Sequence, residues 1–177
     1  MLLLPVQALN LDIWAENRVA GLVDIRVDSR VRDAVKALEL PYEVYIEDVQ
    51  AQIDAQVANR VGKTGVNPDW FTEYHTYNET FEFVTELVAT YPDLLTPISI
   101  GTTHEGRSIF GVRLRGRNNP TKAVMFNGGQ HAREWITPAV VTGMLYNFVT
   151  QYGNVTEITE IVDNLDITII PILNPDG

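Results

Sequence analysis

The alternation of apolar and polar residues predicts a small α/β unit in the first third of the chain. Residues 23–27 and 42–46 alternate apolar with polar side chains, as half-buried strands do. Each run is followed by apolar residues at helical spacing, within residues 31–38 and 49–61. The predicted order is therefore strand, helix, strand, helix.

From Asp69 onward the pattern changes to longer α/β alternation. Asn78 and Thr137 are the predicted N-caps of two helices, and Pro92 is expected to end the first of them. The predicted helices cover residues 81–91, 138–149 and 158–165. The predicted strands cover residues 98–100, 109–114, 123–126 and 166–173, the last of which is apolar on both faces.

The strands at 123–126 and 166–173 are separated by helices, which predicts that they run parallel. We expect the first to be central in the sheet and the second to lie at an edge. Ligand sites in such sheets gather at the carboxyl ends of the strands. His131 and Asn174 both follow such ends.

Candidate metal chemistry follows the strand at 123–126. Gly128 and Gly129 allow a sharp turn and a close backbone approach. His131 and Glu134 come next, three residues apart, so that one helical turn places both side chains on the same side. Imidazole nitrogen and carboxylate oxygen are zinc-type donors, although this spacing alone is also common on solvated helix faces.

Composition narrows the classes of partner. The net charge of −10 makes a nucleic-acid backbone an unsuitable partner, and no segment has the length of a membrane span. The hydrophobic content of 45% and charged content of 20% are typical of a globular chain, and there is no cysteine for a disulfide or thiolate site. Asn78 and Asn154 begin glycosylation sequons, which matter only in the secretory pathway.

Three strings carry a resemblance to a known family. They are Glu105-Gly-Arg107, His131-Ala-Arg-Glu-Trp-Ile136 and Asn174-Pro-Asp-Gly177. In order and spacing they resemble the zinc carboxypeptidases of the carboxypeptidase A type. The resemblance covers nearly the whole chain and implies a mixed-sheet α/β domain.

The resemblance also implies roles for individual residues. His131 and Glu134 would be two zinc ligands, and Arg133 would bind the substrate peptide, with a salt bridge to a neighbouring acid as the alternative role. The third zinc ligand and the catalytic glutamate of the family are expected beyond Gly177, so this chain contributes no catalytic residue and is expected to be inactive alone. Glu105 is expected to make structural hydrogen bonds in its turn.

The first part of the chain is similar to the activation propeptide of the same family, through the strings Leu9-Asn-Leu-Asp-Ile-Trp14 and Ile46-Glu-Asp-Val-Gln50. The resemblance implies the later part of a ferredoxin-like α/β propeptide, trimmed at its start. The predicted domains are 1–61 as propeptide, 62–68 as linker and 69–177 as the first portion of the enzyme domain. Arg60 and Lys63 are candidate sites for an activating cut.

The implied function is that of a secreted zymogen that removes C-terminal amino acids from peptides and proteins by zinc-activated water, with its own propeptide as inhibitor. The sequence does not indicate which C-terminal amino acids of a substrate the enzyme prefers. Two alternatives remain open. One is a zinc deacylase on the same scaffold, and the other is a non-catalytic fragment or pseudoenzyme.

Overall fold

The computed structural model describes residues 9–58, 62 and 65–177. The chain divides into two compact units, Met1–Ala55 and Gln56–Gly177. The cleavage candidates Arg60 and Lys63 lie outside the described residues, and so does part of the predicted linker. The segmentation into 1–61, 62–68 and 69–177 therefore stays a prediction.

The first unit contains an antiparallel pair of strands followed by helical segments. Strand β1 was not predicted, whereas β2 and the first helix lie where the apolar spacing placed them. Within the pair, Asp12 lies opposite Arg26 and the two side chains form an ion pair at 3.4 Å. The elements of this part of the chain are β1 (Asp12–Asn17), β2 (Leu22–Arg26), α1 (Arg32–Lys36) and α2 (Val49–Ala58).

The strand predicted at residues 42–46 is wrong. These residues have no strand structure, and Tyr42, Val44 and Tyr45 are 68%, 50% and 72% exposed. Alternating side chains favour a strand only when a neighbouring strand pairs with the backbone and covers the apolar face. No strand of the described residues pairs with this segment.

The second unit follows the predicted alternation of helices and strands. A 3-10 helix, Pro68–Thr72, precedes the first long helix and begins at the last residue of the predicted linker. The remaining elements are α3 (Tyr77–Thr90), β3 (Leu95–Thr102), β4 (Ser108–Leu114), β5 (Ala123–Asn127), α4 (Ile136–Gln151), α5 (Thr156–Asn164) and β6 (Asp166–Ile170).

Four strands of the described chain form one mixed sheet in the order β3-β4-β6-β5. Strand β4 pairs antiparallel with β3 and β6, and β5 pairs parallel with β6, as predicted for the strands around residues 123 and 166. We predicted that the strand at 123–126 is central and that the strand at 166–173 lies at an edge. Both positions are wrong, because β6 is central and β5 lies at an edge of the described sheet. Burial on both faces of β6 was correctly predicted, and it is typical of a central strand.

Both predicted N-caps are also wrong. Thr76 caps α3 through a capping box, in which its hydroxyl accepts from the Glu79 N–H and the Glu79 carboxylate accepts from the Thr76 N–H. Asn78 therefore lies inside the first turn of α3. Helix α4 begins at Ile136, one residue before Thr137, whose hydroxyl bonds outside the helix ladder.

The hydrophobic core lies between the sheet and helices α3, α4 and α5. Leu87 of α3, Leu145 of α4 and Val162 of α5 are fully buried against the sheet. Gly111 in β4 is required by close packing, since a Cβ there would lie 2.6 Å from the Ile169 carbonyl oxygen. No helix within the described ranges is long and apolar enough to cross a bilayer.

Candidate metal centre

The turn after β5 is fixed in place by the backbone that continues from β6. Gly128 N–H donates to the Ile170 carbonyl at 3.0 Å, and Gly128 and Gly129 carbonyls accept from Leu173 and Asn174 at 2.8 and 3.0 Å. A Cβ on Gly128 would lie 2.8 Å from the Thr137 carbonyl carbon, and Gly129 has a φ of +58°. The two glycines thus permit a close approach of the chain to itself at the start of the turn.

The turn brings His131 and Glu134 together. Nδ1 of His131 lies 2.9 Å from Oε1 of Glu134, and the Glu134 N–H donates to the His131 carbonyl at 3.1 Å. Which of the two atoms donates in this contact depends on the tautomer of the imidazole. Both side chains are accessible, with exposures of 70% and 49%.

These two donors suit a zinc ion in chemistry and spacing. Zinc takes imidazole nitrogen and carboxylate oxygen at about 2.0–2.2 Å, which places two tetrahedral ligands about 3.3 Å apart. The observed 2.9 Å separation needs only a small outward movement of either side chain. Within the described part of the chain, no cluster of three or more His, Asp or Glu side chains completes a metal site. Arg133 lies between the two donors on the same exposed turn.

The Asn174–Gly177 turn lies beside this site and is bonded to it. The Asn174 side chain donates to the Gln130 carbonyl at 3.3 Å, next to His131. The Asp176 carboxylate accepts from the Thr103 hydroxyl at 2.8 Å, from the Glu105 N–H at 3.0 Å and from Arg107 at 2.5 Å. These bonds link the turn after β6 to the β3–β4 turn.

The environment of Asp176 favours its charged form. Burial would raise the pKa of this carboxyl, but the hydrogen bonds from the Glu105 N–H, the Thr103 hydroxyl and the Arg107 guanidinium together lower the pKa below its ordinary value. Glu105 forms an ion pair with Arg107 at 2.5 Å. This is the structural hydrogen bonding that we expected of Glu105 in its turn.

A cleft of about 940 Å³ opens beside the two donors. Aromatic rings of Trp70, Phe71, Tyr74 and Trp135 line it together with His131 and Glu134. Tyr74 and Trp135 meet edge to face at 5.9 Å, and the Trp135 indole N–H donates to the Ala132 carbonyl at 3.0 Å. The cleft has the size and lining of a site for an organic ligand.

His75 is buried in this region, with a side chain 5% exposed. It stacks on Trp70 with ring centroids 3.4 Å apart, and its Nε2 lies 2.8 Å from the Trp70 carbonyl oxygen. Its Nδ1 lacks a hydrogen-bond partner among the described residues, and Glu79 lies 3.8 Å away. No periodicity around residue 75 signals this burial. His104 is exposed.

Comparisons with known proteins agree with this geometry. A zinc carboxypeptidase family model matches residues 80–177, and a carboxypeptidase activation peptide model matches residues 4–56. The chain belongs to the zinc carboxypeptidase family. Carboxypeptidases are hydrolytic enzymes, and the resemblance of the three sequence strings to this family is thereby confirmed.

Individual relatives are similar over nearly all of this chain. Metallocarboxypeptidase A of Arthroderma otae is 34% identical over 96% of the chain, and carboxypeptidase A1 of Mus musculus is 36% identical over 97%. The chain spans only 42% and 43% of the length of these two proteins. Carboxypeptidase B of Homo sapiens is 36% identical, with 42% of its length covered.

Solved structures show the same fold. The chain resembles thrombin-activatable fibrinolysis inhibitor with a TM-score of 0.82, over 98% of the chain and 47% of that protein. It resembles the carboxypeptidase A of Helicoverpa armigera with a TM-score of 0.77, over 97% of the chain and 44% of that protein. Both are 24% identical to the chain. The predicted class, an α/β propeptide fold followed by a mixed-sheet α/β carboxypeptidase fold, is confirmed.

Proposed function

We propose that this chain is part of a zinc metallocarboxypeptidase, made as a zymogen, that removes C-terminal amino acids from peptides and proteins. The single observation that carries the proposal is the 2.9 Å approach of His131 Nδ1 to Glu134 Oε1 at the carboxyl end of β5. This pair lies inside the segment that matches the zinc carboxypeptidase family. The pair follows the carboxyl end of a parallel strand, and α/β proteins bind ligands at these strand ends.

In this proposal His131 and Glu134 hold one zinc ion, with a third protein ligand still to be supplied. When bound, zinc acts as a Lewis acid toward a peptide carbonyl and lowers the pKa of water to about 7. To hold zinc, His131 would present a ring-nitrogen lone pair and Glu134 a carboxylate oxygen, because metal ligands bind through unprotonated atoms.

Arg133 is the proposed substrate-binding residue. It is on the same exposed turn as the two donors, so a peptide beside the metal would lie within reach of its guanidinium. The guanidinium carries planar paired donors that suit peptide carbonyl or carboxylate oxygens. The general base is assigned to no residue of this chain, and Glu105 is paired with Arg107 in the β3–β4 turn.

We further propose that residues 1–61 are the later part of the activation propeptide and inhibit the enzyme until they are cleaved off. The match of residues 4–56 to the activation peptide model supports this role. We also propose an extracellular location, as the resemblance to this family implies. Its partners are then peptide C-termini, and its net charge of −10 disfavours nucleic acid.

Zinc affinity, measured by competition with a chelator, tests the proposed metal site. The measurement is made on the 177-residue chain and on any longer product of the same gene, each with His131→Ala and Glu134→Gln. His104→Ala is the matched control, because it removes an exposed histidine outside the loop that carries the two proposed donors. We expect the two site variants to weaken zinc binding at least tenfold and the control to leave it unchanged.

The alternatives predict other results. Tight binding only by a longer product would mean that the site is completed by residues outside this chain, which by itself would be a non-catalytic part. Equal affinity in wild type and His131→Ala would reject the metal site and favour the pseudoenzyme. Hydrolysis of N-acyl amino acids, without release of C-terminal residues from peptides, would favour the deacylase.

A further inference from the structure

The loop that carries both proposed zinc donors is closed by one side-chain hydroxyl. The Gly129 N–H donates to Oγ1 of Thr137 at 2.9 Å, and the same hydroxyl donates to the Glu134 carbonyl at 2.8 Å. Thr137 thus joins the first residues of the loop to its last turn. His131 lies between the two joined points.

Packing alone does little to hold the two donors. The side chains of His131 and Glu134 are 70% and 49% exposed, so few neighbouring atoms restrict them. Their separation therefore depends on the backbone that carries them. That backbone is anchored at Gly129, whose carbonyl accepts from the Asn174 N–H and whose N–H donates to Thr137.

Thr137 differs from the other threonines of α4. The hydroxyls of Thr142 and Thr150 donate to carbonyls four residues earlier, at 2.7 and 2.8 Å, and these bonds stay within the helix. Thr137 instead reaches eight residues back, to a residue before the helix. Helix α4 begins at Ile136 with Trp135 as its N-cap residue, so Thr137 lies inside the helix and is not its N-cap.

We propose that Thr137 is a positioning residue for the metal centre: its hydroxyl fixes the loop so that His131 and Glu134 can bind one ion together. The inference rests on the proposed function, because it concerns the same two donors. Metal sites depend on outer groups that orient the ligands, and loss of such a group weakens metal affinity by about 10- to 100-fold. A loop without this bond loses the direct link between Gly129 and α4.

Three variants separate positioning from general stability. Thr137→Val keeps the branched shape and removes the hydroxyl, and Thr137→Ser keeps the hydroxyl. Thr142→Val is the matched control, since it removes a hydroxyl bond of similar length from the same helix without touching the loop. By chelator competition, we expect at least tenfold weaker zinc binding in Thr137→Val and near wild-type affinity in the other two variants.

Amide hydrogen exchange without metal provides a second readout. In Thr137→Val the Gly129 amide should exchange at least about tenfold faster, because its hydrogen-bond acceptor is gone, while the amides of β6 keep their protection. The positioning role is overturned if the Gly129 amide of Thr137→Val exchanges at the wild-type rate. It is also overturned if Thr137→Val keeps wild-type zinc affinity while His131→Ala loses zinc binding. Equal zinc binding by wild type and His131→Ala overturns the proposed function as well. The His131→Ala result therefore distinguishes failure of the proposed function from failure of the positioning role alone.

Discussion

The hydroxyl of Thr103 donates to the carboxylate of Asp176 at 2.8 Å, although 73 residues separate them in sequence. This bond joins the β3–β4 turn to the turn that follows β6. Asp176 receives further bonds from Glu105 and Arg107, so that its single carboxylate connects two of the three family strings. The third string, around His131, is connected through Asn174 and Gln130.

Asp176→Asn should lower the folding stability of the protein at neutral pH but not in acid. The folded pKa of Asp176 is lowered, so its stabilising contribution is complete above the unfolded pKa of about 3.9 and is lost as pH falls through the folded value. Melting temperatures between pH 2.5 and 7 should show a gap between wild type and variant that closes at low pH. Asp93→Asn, at an exposed aspartate, is the control and should show no such gap.

Thr76→Ala should destabilise the protein by about 1 kcal/mol, because it removes the capping box of α3. Asn78→Ala should change the free energy of unfolding by less than about 0.5 kcal/mol, since Asn78 is exposed within the helix. Urea unfolding of both variants checks the pair. A larger loss of unfolding free energy in Asn78→Ala than in Thr76→Ala would contradict the assignment of Thr76 as the N-cap.

Leu145→Ala should lower the free energy of unfolding by about 2–5 kcal/mol, because Leu145 is fully buried between α4 and the sheet and its removal leaves a cavity. Val140→Ala, in the same helix at a position 51% exposed, should cost less than about 1 kcal/mol. Chemical denaturation measures both. Similar losses at the two positions would contradict the orientation of α4 described above.

Asp166→Asn should destabilise the sheet by about 1–3 kcal/mol. Asp166 is 8% exposed and accepts hydrogen bonds from Arg113 and from Arg115, the latter at 2.5 Å. The bond from Arg113 is the main cause of a strongly lowered pKa at Asp166, so this stabilisation should persist down to strongly acidic pH. Unfolding of wild type and variant at pH 3 and pH 7 should show a loss at both values; a loss confined to pH 7 would contradict the assignment.

Arg133→Gln should raise KM for peptide substrates about tenfold or more in an active product of the gene, because charge-assisted hydrogen bonds to the substrate are lost. Zinc affinity should not change, since Arg133 is not a proposed metal donor. Steady-state kinetics and chelator competition on the same preparation check both statements. A fall in zinc affinity would instead indicate that Arg133 supports the loop.

The sequence was most informative where one local pattern determines the structure. The apolar spacing placed α3, α4 and α5 near their observed bounds, and the glycines and the His131–Glu134 spacing predicted the turn that brings both donors together. These features depend on neighbours within a few residues. Helical periodicity and turn chemistry are therefore sufficient for them.

Features that depend on distant neighbours could not be predicted. The apolar run of β6 indicates burial on both faces, but it does not tell which strands lie beside it, and we placed it at an edge. Thr137 has the residue type of an N-cap, yet its hydroxyl bonds to Gly129 in the preceding loop. The burial of His75 against Trp70 and the contacts of Asp176 likewise arise from tertiary packing.

The parallel pairing of β5 with β6 has a consequence for the order of folding. Ala123 pairs with Asp166, so the chain must first close the entire span that contains α4 and α5 before this pairing forms. The bonds that anchor Gly128 and Gly129 extend the same pairing. Contacts between distant segments form slowly, so the turn with His131 and Glu134 should become ordered late, after the helices have formed.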